Sequence, residues 1–281
     1  MSDAGWNART VSTRLGAILV GGLVLFAIVG PWIARHDPYT SNFETGLTPA
    51  FLPVPPNAEF WLGTDRLFRD VFARLATGAR FSLVIGVAAT GIATAIGGAV
   101  GITAGWYEGR WADTLLMRLV DIGLAFPFLL LVMALGAALE RTTPSTILLT
   151  LGATGWLGIA RLLRAKTLQV RSLDFVVAAR ALGQSTPRIL VLHVLPNVSG
   201  PLLASATMMV AQMILAESIL SYLGAGIAPP APTWGRMLFE GQDYLAPAPW
   251  ISGAPCLGIV CAVLGWNLLG EGLRDALDPR S

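Results

Sequence analysis

The stretch FSLVIGVAATGIATAIGGAVGITAGWY, residues 81–107, contains no Asp, Glu, Lys or Arg. A membrane core about 30 Å thick is crossed by about 20 mostly apolar helical residues, so this stretch can span a bilayer. The whole chain has the same character, because 54% of its 281 residues are apolar and 13% are charged. Soluble domains carry about 25% charged residues, and disordered chains are far less apolar. The composition therefore predicts a polytopic membrane protein, and the net charge of +2 does not indicate a nucleic acid partner.

Five further stretches of similar length are free, or almost free, of charged residues. Pro196 and Pro201 interrupt the longest of them, so we expect the fifth span to begin near Pro201 and to run past Glu217. The predicted fold is an all-α bundle of six transmembrane helices in membrane lipid. The predicted spans are residues 15–34, 81–107, 122–139, 142–160, 201–223 and 244–270.

The basic residues predict the orientation of the chain. Most of the nineteen lysines and arginines fall into the segments that are cytoplasmic when both termini are cytoplasmic, and this is the favoured arrangement. We divide the chain into an N-terminal helix with an extracytoplasmic loop (1–80), a core transmembrane domain (81–271) and a cytoplasmic tail (272–281).

The two long extracytoplasmic loops have different patterns. Loop 35–80 ends in a segment whose charged and apolar residues alternate with helical spacing, which is typical of an amphipathic helix in the membrane interface. A solvated loop packed on the bundle fits the same pattern. Loop 224–249 contains closely spaced prolines, so we expect it to be a stiff docking surface. The charged residues that end the first loop are Arg66, Arg69, Asp70 and Arg74.

The cytoplasmic segment 161–196 predicts two short helices. Ser172 is a candidate N-cap for the first, and Asp174 lies in its first turn, where a negative charge is favourable. Gly183 would end that helix in the left-handed conformation, and Ser185 would cap the second. The first helix has an apolar face that either the bundle or another protein must bury. This face consists of Phe175, Val176, Ala179 and Leu182.

The sequence lacks the common motifs of enzymes. It has no glycine-rich phosphate loop, and its single lysine, Lys166, follows no such turn. It has neither an H-E-x-x-H nor a G-x-S-x-G motif, and His36 and His193 are predicted on opposite sides of the membrane. We therefore expect no catalytic residue, no metal site and no cofactor bound by this chain.

The segment 161–196 also contains the run Val177-Ala178-Ala179-Arg180-Ala181-Leu182-Gly183, followed by Leu195-Pro196. This run resembles the signature loop of permeases of binding-protein-dependent ABC importers, which reads E-A-A, three residues, Gly, and a Leu-Pro pair some dozen residues on. Other segments resemble the C-type, or second, permease subunit of the oligopeptide, dipeptide and nickel branch. They include residues 61–65, 69–71, 78–83, 117–127, 217–236 and 267–275.

The resemblance implies a type I ABC importer permease that forms half of a translocation pathway for di- or oligopeptides. It implies four kinds of partner or setting: a homologous B-type permease, two cytoplasmic ATPase subunits that use ATP and Mg, an extracytoplasmic binding protein, and a bacterial inner membrane. The loop 164–196 would carry a coupling helix that sits in a cleft of an ATPase, so a partner would cover its apolar face. The coupling residues implied are Asp174, Phe175, Ala178, Ala179, Arg180, Gly183, Leu195 and Pro196.

The chain departs from the family pattern at two positions. Val177 stands where the family has glutamate, and Asp174, one turn earlier on the same helical face, is a candidate substitute. Phe68 stands where the family usually has glycine.

Three features of the predicted spans have two readings each. Glu217, an acid inside a span, either lines the pathway or pairs within a subunit interface. Pro127 is a kink that serves either gating or packing alone. A glycine repeat in the second span predicts close helix packing rather than a pore lining. The repeat consists of Gly97, Gly101 and Gly105.

The sequence leaves two alternatives to a peptide permease. An ABC permease for nickel or another small solute would have the same loop and the same partners. A stand-alone secondary transporter would need intramembrane ionisable groups and an inverted repeat, and Glu217 is the one such group in the predicted spans.

Overall fold

The computed structural model describes residues 3–139 and 143–277, with side chains described from Ser12 onwards. The described residues fold into helices joined by turns, and two isolated β-bridges are the only extended pairings among them, so the predicted all-α fold is confirmed. A π-helical turn, Leu190–Val194, joins α7 to α8, and a 3-10 turn, Gln242–Tyr244, follows α9. The helices are α1 (Asp3–Ile33), α2 (Val71–Trp106), α3 (Trp111–Ala125), α4 (Phe128–Ala138), α5 (Pro144–Arg171), α6 (Asp174–Ala181), α7 (Thr186–Ile189), α8 (Leu195–Tyr222), α9 (Trp234–Gly241) and α10 (Trp250–Ala276).

Five helical segments in the described residues are long and apolar enough to cross a membrane. A sixth span results if α3 and α4, which meet at an angle of 93°, are counted together. The predicted third span, 122–139, is therefore wrong as a single straight helix. Its break falls at Pro127, which lacks an N–H and disfavours a helical residue before it. The five segments are Ser12–Ile33, Val71–Trp106, Pro144–Arg171, Thr186–Tyr222 and Trp250–Ala276.

The second span begins at Val71 rather than at residue 81. The two arginines near its start, Arg74 and Arg80, have partners inside the protein: Arg74 binds Glu240, and Arg80 binds α1. Asp70 caps the helix by accepting hydrogen bonds from the backbone N–H groups of Phe72 and Ala73. Arg80 donates from Nε to the carbonyl oxygen of Ala27, 2.7 Å away. This carbonyl lies four residues before Pro31 of α1, which has no N–H to donate to it.

The fifth span also begins earlier than the predicted start near Pro201: α8 starts at Leu195, and the continuous helical segment starts at Thr186. Pro201 lies inside α8, where neighbouring helices support a helix that lacks one hydrogen bond. The fourth span continues to Arg171, beyond the predicted residue 160, and the sixth runs over Trp250–Ala276 instead of 244–270. Two predicted boundaries lie outside the described residues: the start of the fourth span at Thr142 and the end of the tail at 278–281.

The glycine repeat of α2 packs against α5. A Cβ at Gly97 would lie 2.7 Å from Cβ of Ile159, and one at Gly105 would lie 2.7 Å from the carbonyl oxygen of Arg164. Gly101, between them, faces the carbonyl of Ala160 even more closely. The repeat therefore allows two backbones to approach each other, which confirms the predicted packing face.

Candidate functional site

The predicted coupling segment forms a helix of two turns, α6, between α5 and α7. Its N-cap is Leu173, whose side chain makes no capping bond within the described part of the chain. The prediction of Ser172 as the N-cap is wrong, because Ser172 ends α5 and its Oγ donates to the carbonyl of Gln169. Asp174 occupies the first turn of α6, as predicted.

The other end of α6 is closed by a two-bond turn. Gly183 has a φ of +75°, which favours glycine, and its N–H donates to the carbonyl of Arg180 at 2.9 Å. The N–H of Gln184 donates to the carbonyl of Ala179 at 3.1 Å. This pair of bonds is a Schellman motif and confirms the predicted helix end. Ser185 stands at the N-cap of α7 without a side-chain bond in the described residues.

The predicted apolar face of α6 divides into a buried part and an exposed part. Val176 and Ala179 are buried in the core of this chain at 0% and 5% exposure. Phe175 and Leu182 are 43% and 81% exposed, and Val177 is 54% exposed. The predicted apolar face therefore has two parts: Val176 and Ala179 pack against the bundle, and Phe175 and Leu182 lie at the surface.

Trp106, at the end of α2, is contacted by Arg180 of α6 and by Arg171, the last residue of α5. The guanidinium carbon of Arg180 lies 4.0 Å from the ring centre of the buried Trp106, a cation–π contact. Arg171 donates from Nη1 to the carbonyl of Trp106 at 3.0 Å. Burial, with a smaller contribution from the charge of Arg171, lowers the pKa of Arg180 from its ordinary value. Arg180 therefore links α6 to the end of α2.

The Leu195-Pro196 pair marks the point where the segment joins α8. Pro196 has no N–H, and the turn before it widens so that Leu195 donates to the carbonyl of Leu190. The side chain of Asn197 donates to the carbonyl of His193 at 2.7 Å. The helix is continuous from α7 into α8, so Pro196 sits in a stiff connection rather than in a free loop.

At the opposite end of α2, four charged residues form a buried cluster, here called the charge cluster: Asp65, Arg69, Arg74 and Glu240. Nη2 of Arg69 lies 2.7 Å from both Asp65 Oδ2 and Glu240 Oε2, and Nη2 of Arg74 lies 2.9 Å from Glu240 Oε2. The four side chains are 1–6% exposed. The predicted interfacial helix is therefore wrong, because these arginines are buried and bind α9.

Phe68 lies in the turn beside the charge cluster and has a φ of +59°. The turn is held by Oδ1 of Asp65, which accepts from the N–H groups of Leu67 and Arg69 at 2.8 and 3.0 Å. A left-handed backbone costs a residue with a Cβ about 1–2 kcal/mol. Glycine avoids this cost, which is a physical reason why the family that the chain resembles usually has glycine at this position.

Glu217 is buried inside this subunit, between α8 and α2. Ser221 donates to its Oε1 at 2.7 Å, and Ser82 donates to its Oε2 at 3.1 Å. Pro127 stands at the bend between α3 and α4 and precedes the first residue of α4. Neither observation tests a role in transport, so both roles stay predictions. Within residues 3–139 and 143–277, no cluster of His, Cys, Asp or Glu could hold a metal ion.

These features define a class: a multi-span helical membrane protein with one broken span and a short, partly exposed helix between two spans. The family model described as binding-protein-dependent transport system inner membrane component matches residues 97–281. A second, described as the N-terminal TM domain of oligopeptide transport permease C, matches residues 14–57.

Named relatives agree with these matches over nearly the whole chain. A putative peptide transport system permease protein of Brucella suis is 40% identical over 97% of this chain and 89% of its own. The oligopeptide transport system permease protein OppC of Bacillus subtilis is 38% identical over 95% and 85%. The di/tripeptide transport system permease protein DppC of Pseudomonas aeruginosa is 40% identical over 95% and 88%. This chain belongs to the inner membrane components of binding-protein-dependent transport systems, in the C-type branch of oligopeptide and dipeptide permeases.

A solved structure has the same fold. A chain of the inward-facing MetNI methionine ABC transporter superposes with a TM-score of 0.58 over 72% of this chain and 95% of its own, at 19% identity. The predicted ABC importer permease fold and the multi-pass membrane location are confirmed, and the orientation of the termini stays a prediction. A family member is a membrane permease and not an enzyme, as predicted.

Proposed function

We propose that this chain is one of two permease subunits of a binding-protein-dependent ABC importer for di- or oligopeptides. The other subunits would be a homologous B-type permease, two cytoplasmic ATPase subunits that use ATP and Mg, and an extracytoplasmic binding protein. Both termini would be cytoplasmic. The observation that supports this proposal best is the exposed apolar part of α6, a helix that the Arg180–Trp106 contact joins to α2.

The exposure of α6 supports a protein partner. Phe175, Val177 and Leu182 leave apolar surface uncovered beside Val176 and Ala179, which are buried. Aromatic and large aliphatic side chains inserted into a partner's pocket supply much of the binding energy of many interfaces. A cleft of an ATPase subunit would bury these three side chains.

The contacts of α6 with the rest of the chain would allow it to transmit movement to the spans. The Arg180–Trp106 contact joins α6 to α2, and the Schellman turn at Gly183 leads into the continuous helix that becomes α8. When ATP binding brings the ATPases together, the two coupling helices would follow them. The connected spans would then switch the pathway between its inward-facing and outward-facing states.

The relatives' names support peptides as the substrate. The proteins of Brucella suis, Bacillus subtilis and Pseudomonas aeruginosa cited above are all named as peptide, oligopeptide or di/tripeptide permeases. A nickel complex or another small solute is the less favoured alternative.

Asp174 is the candidate substitute for the family's glutamate. It is exposed in the first turn of α6, one turn before the exposed Val177. If Asp174 makes the polar contact with the ATPase, Asp174→Ala should reduce coupled ATP hydrolysis in the reconstituted complex. Unchanged hydrolysis would show that this substitution idea is wrong.

The test of the proposed function is the complete importer in proteoliposomes. We expect uptake of a labelled dipeptide and ATP hydrolysis stimulated by the loaded binding protein. Leu182→Asp should abolish retention of the ATPase subunits, because a charge would enter an apolar cleft. Leu245→Asp, at an exposed leucine near the other end of the bundle, is the matched control and should retain them. Equal retention by both variants would contradict the coupling role of α6.

A further inference from the structure

A cavity of about 410 Å³ opens where the broken span meets α5 and α8. The residues around it are apolar except for Thr154 and Gln212. The hydroxyl of Thr154 already donates to the carbonyl of Thr150 at 2.8 Å. Ligand pockets are typically about 300–1,000 Å³, mostly apolar, with a few polar groups that fix orientation. The main apolar lining residues are Phe126, Leu129, Leu157, Met209 and Met213.

Gln212 is an exposed amide in the middle of a membrane span. It lies about 25 Å along the axis from the start of α8 and about 15 Å from its end. Its side chain makes no hydrogen bond to any residue that the structure describes, although Met209 and Met213 flank it. An amide without a partner in hydrocarbon costs several kcal/mol, so this face of α8 does not face lipid.

A second polar feature lies on the same side of the bundle. Arg161 Nη2 is 2.6 Å from Asp121 Oδ1, and the two side chains are 59% and 57% exposed. Arg161 follows the cavity-lining Gly158 by one helical turn, and Asp121 precedes the cavity-lining Gly123 by two residues. An exposed ion pair inside a span faces water or a polar partner. These polar groups favour water or a polar partner, rather than lipid, at the mouth of the cavity.

We propose that Gln212 hydrogen-bonds the main chain of the peptide as it passes through this cavity, and that it determines specificity for peptides. This inference rests on the proposed function. A primary amide offers two N–H donors and one acceptor oxygen, which match the C=O and N–H of a peptide group. The apolar walls accept side chains of different kinds, so recognition of the main chain permits a broad range of peptides.

The lining disfavours a metal as the occupant. Nickel and similar ions prefer imidazole, carboxylate or thiolate ligands. The described residues around the cavity carry none of these groups.

The test compares two substrates in the reconstituted importer: a labelled dipeptide and the same dipeptide methylated at its peptide nitrogen, which lacks the N–H. Gln212→Leu should lower uptake of the ordinary dipeptide about tenfold, equivalent to about 1.4 kcal/mol, and should change uptake of the methylated one much less. The binding protein is the same throughout, so its own preference cancels when the variant is compared with the wild type. Thr207→Val, a polar-to-apolar change on α8 outside the cavity lining, is the control and should leave both rates unchanged.

Three outcomes would overturn the inference. Unchanged dipeptide uptake by Gln212→Leu would show that Gln212 does not contact the substrate. Equal losses for both substrates, together with loss of the B-type permease on purification, would make Gln212 a contact between subunits. No uptake of any peptide by the wild-type importer would contradict the proposed function, and this inference with it.

Discussion

The two ends of α2 differ in which side chains are buried and which are exposed. This helix of 36 residues is about 54 Å long. Near its start, Arg74 and three other charged residues are buried in the charge cluster. At its far end, Trp106 holds α6, which exposes Phe175 and Leu182 to solvent. Charge is inside at one end, and apolar surface is outside at the other.

The difference lies in where each group finds its partner. The buried charges are neutralised within the chain, by residues from the loop before α2, from α2 itself and from α9. The exposed apolar side chains Phe175, Val177 and Leu182 have no such cover from the described residues of this chain. The first arrangement fixes one end of the subunit internally, and the second leaves the other end incomplete without a partner.

The largest predicted effect breaks the charge cluster. Glu240→Gln removes the carboxylate that binds both Arg69 and Arg74, and it leaves two cations buried without enough counter-charge. We expect a loss of about 3–5 kcal/mol in the free energy of unfolding, measured by denaturant titration of the purified protein. Glu44→Gln, at an exposed glutamate of the loop that contains Asp65 and Arg69, is the control. A loss as small as that of the control would contradict the view that the cluster holds this end together.

A second prediction separates the buried and exposed parts of α6. Val176→Ala opens a cavity in the core and should cost about 1–3 kcal/mol of folding stability. Leu182→Ala should leave the stability of the isolated subunit within about 0.5 kcal/mol, yet weaken binding of the ATPase subunits by more than about 1 kcal/mol. The measurements are unfolding of the subunit and affinity for the ATPases. If Leu182→Ala lowered folding stability and Val176→Ala weakened only the binding of the ATPases, the assignment of the two residues would be wrong.

A third prediction concerns the contact between α6 and α2. Arg180→Gln removes the cation–π contact with Trp106, which contributes about 0.5–2 kcal/mol. We expect the ATPases to remain bound while stimulation of hydrolysis by the loaded binding protein falls. Arg188→Gln, at an exposed arginine of α7, is the matched control. If both variants are stimulated like the wild type, the contact does not transmit movement.

The smallest predicted effect is at Phe68, beside the charge cluster. Phe68→Gly relieves a left-handed residue but loses the edge contact with Phe43, so stability should change by less than about 1 kcal/mol. Phe68→Val keeps the unfavourable φ with a β-branched side chain and should lower the thermal midpoint clearly more. Equal midpoints for the two variants would show that φ at this position has little influence.

The sequence predicted features that depend on local or repeating patterns. The spans follow from apolar length, the close approach of α2 and α5 from the glycine repeat, and the end of α6 from Gly183. Features set by distant residues were missed. The charge cluster depends on Glu240, which lies more than 160 residues from Arg74, and no local pattern announces that pairing.

The details of the candidate site show the same limit. Ser172 fits the composition of an N-cap, but α5 continues through Arg171 and uses Ser172 at its end. The division of the α6 face into buried and exposed residues depends on how α6 lies against the end of α2. The helical period groups Phe175 with Ala179, four residues on, and only the packing separates the exposed Phe175 from the buried Ala179.

The most direct test of the central claim is a cross-linking experiment on the assembled importer. Leu182→Cys is introduced into a chain in which Cys256 and Cys261 are replaced by alanine, and Leu245→Cys serves as the comparison. The account predicts that a short thiol-to-amine cross-linker joins the Leu182→Cys variant to an ATPase subunit and does not join the Leu245→Cys variant to one. An ATPase cross-link from Leu245→Cys, or none from Leu182→Cys in an active importer, would contradict the claim that α6 is the coupling helix.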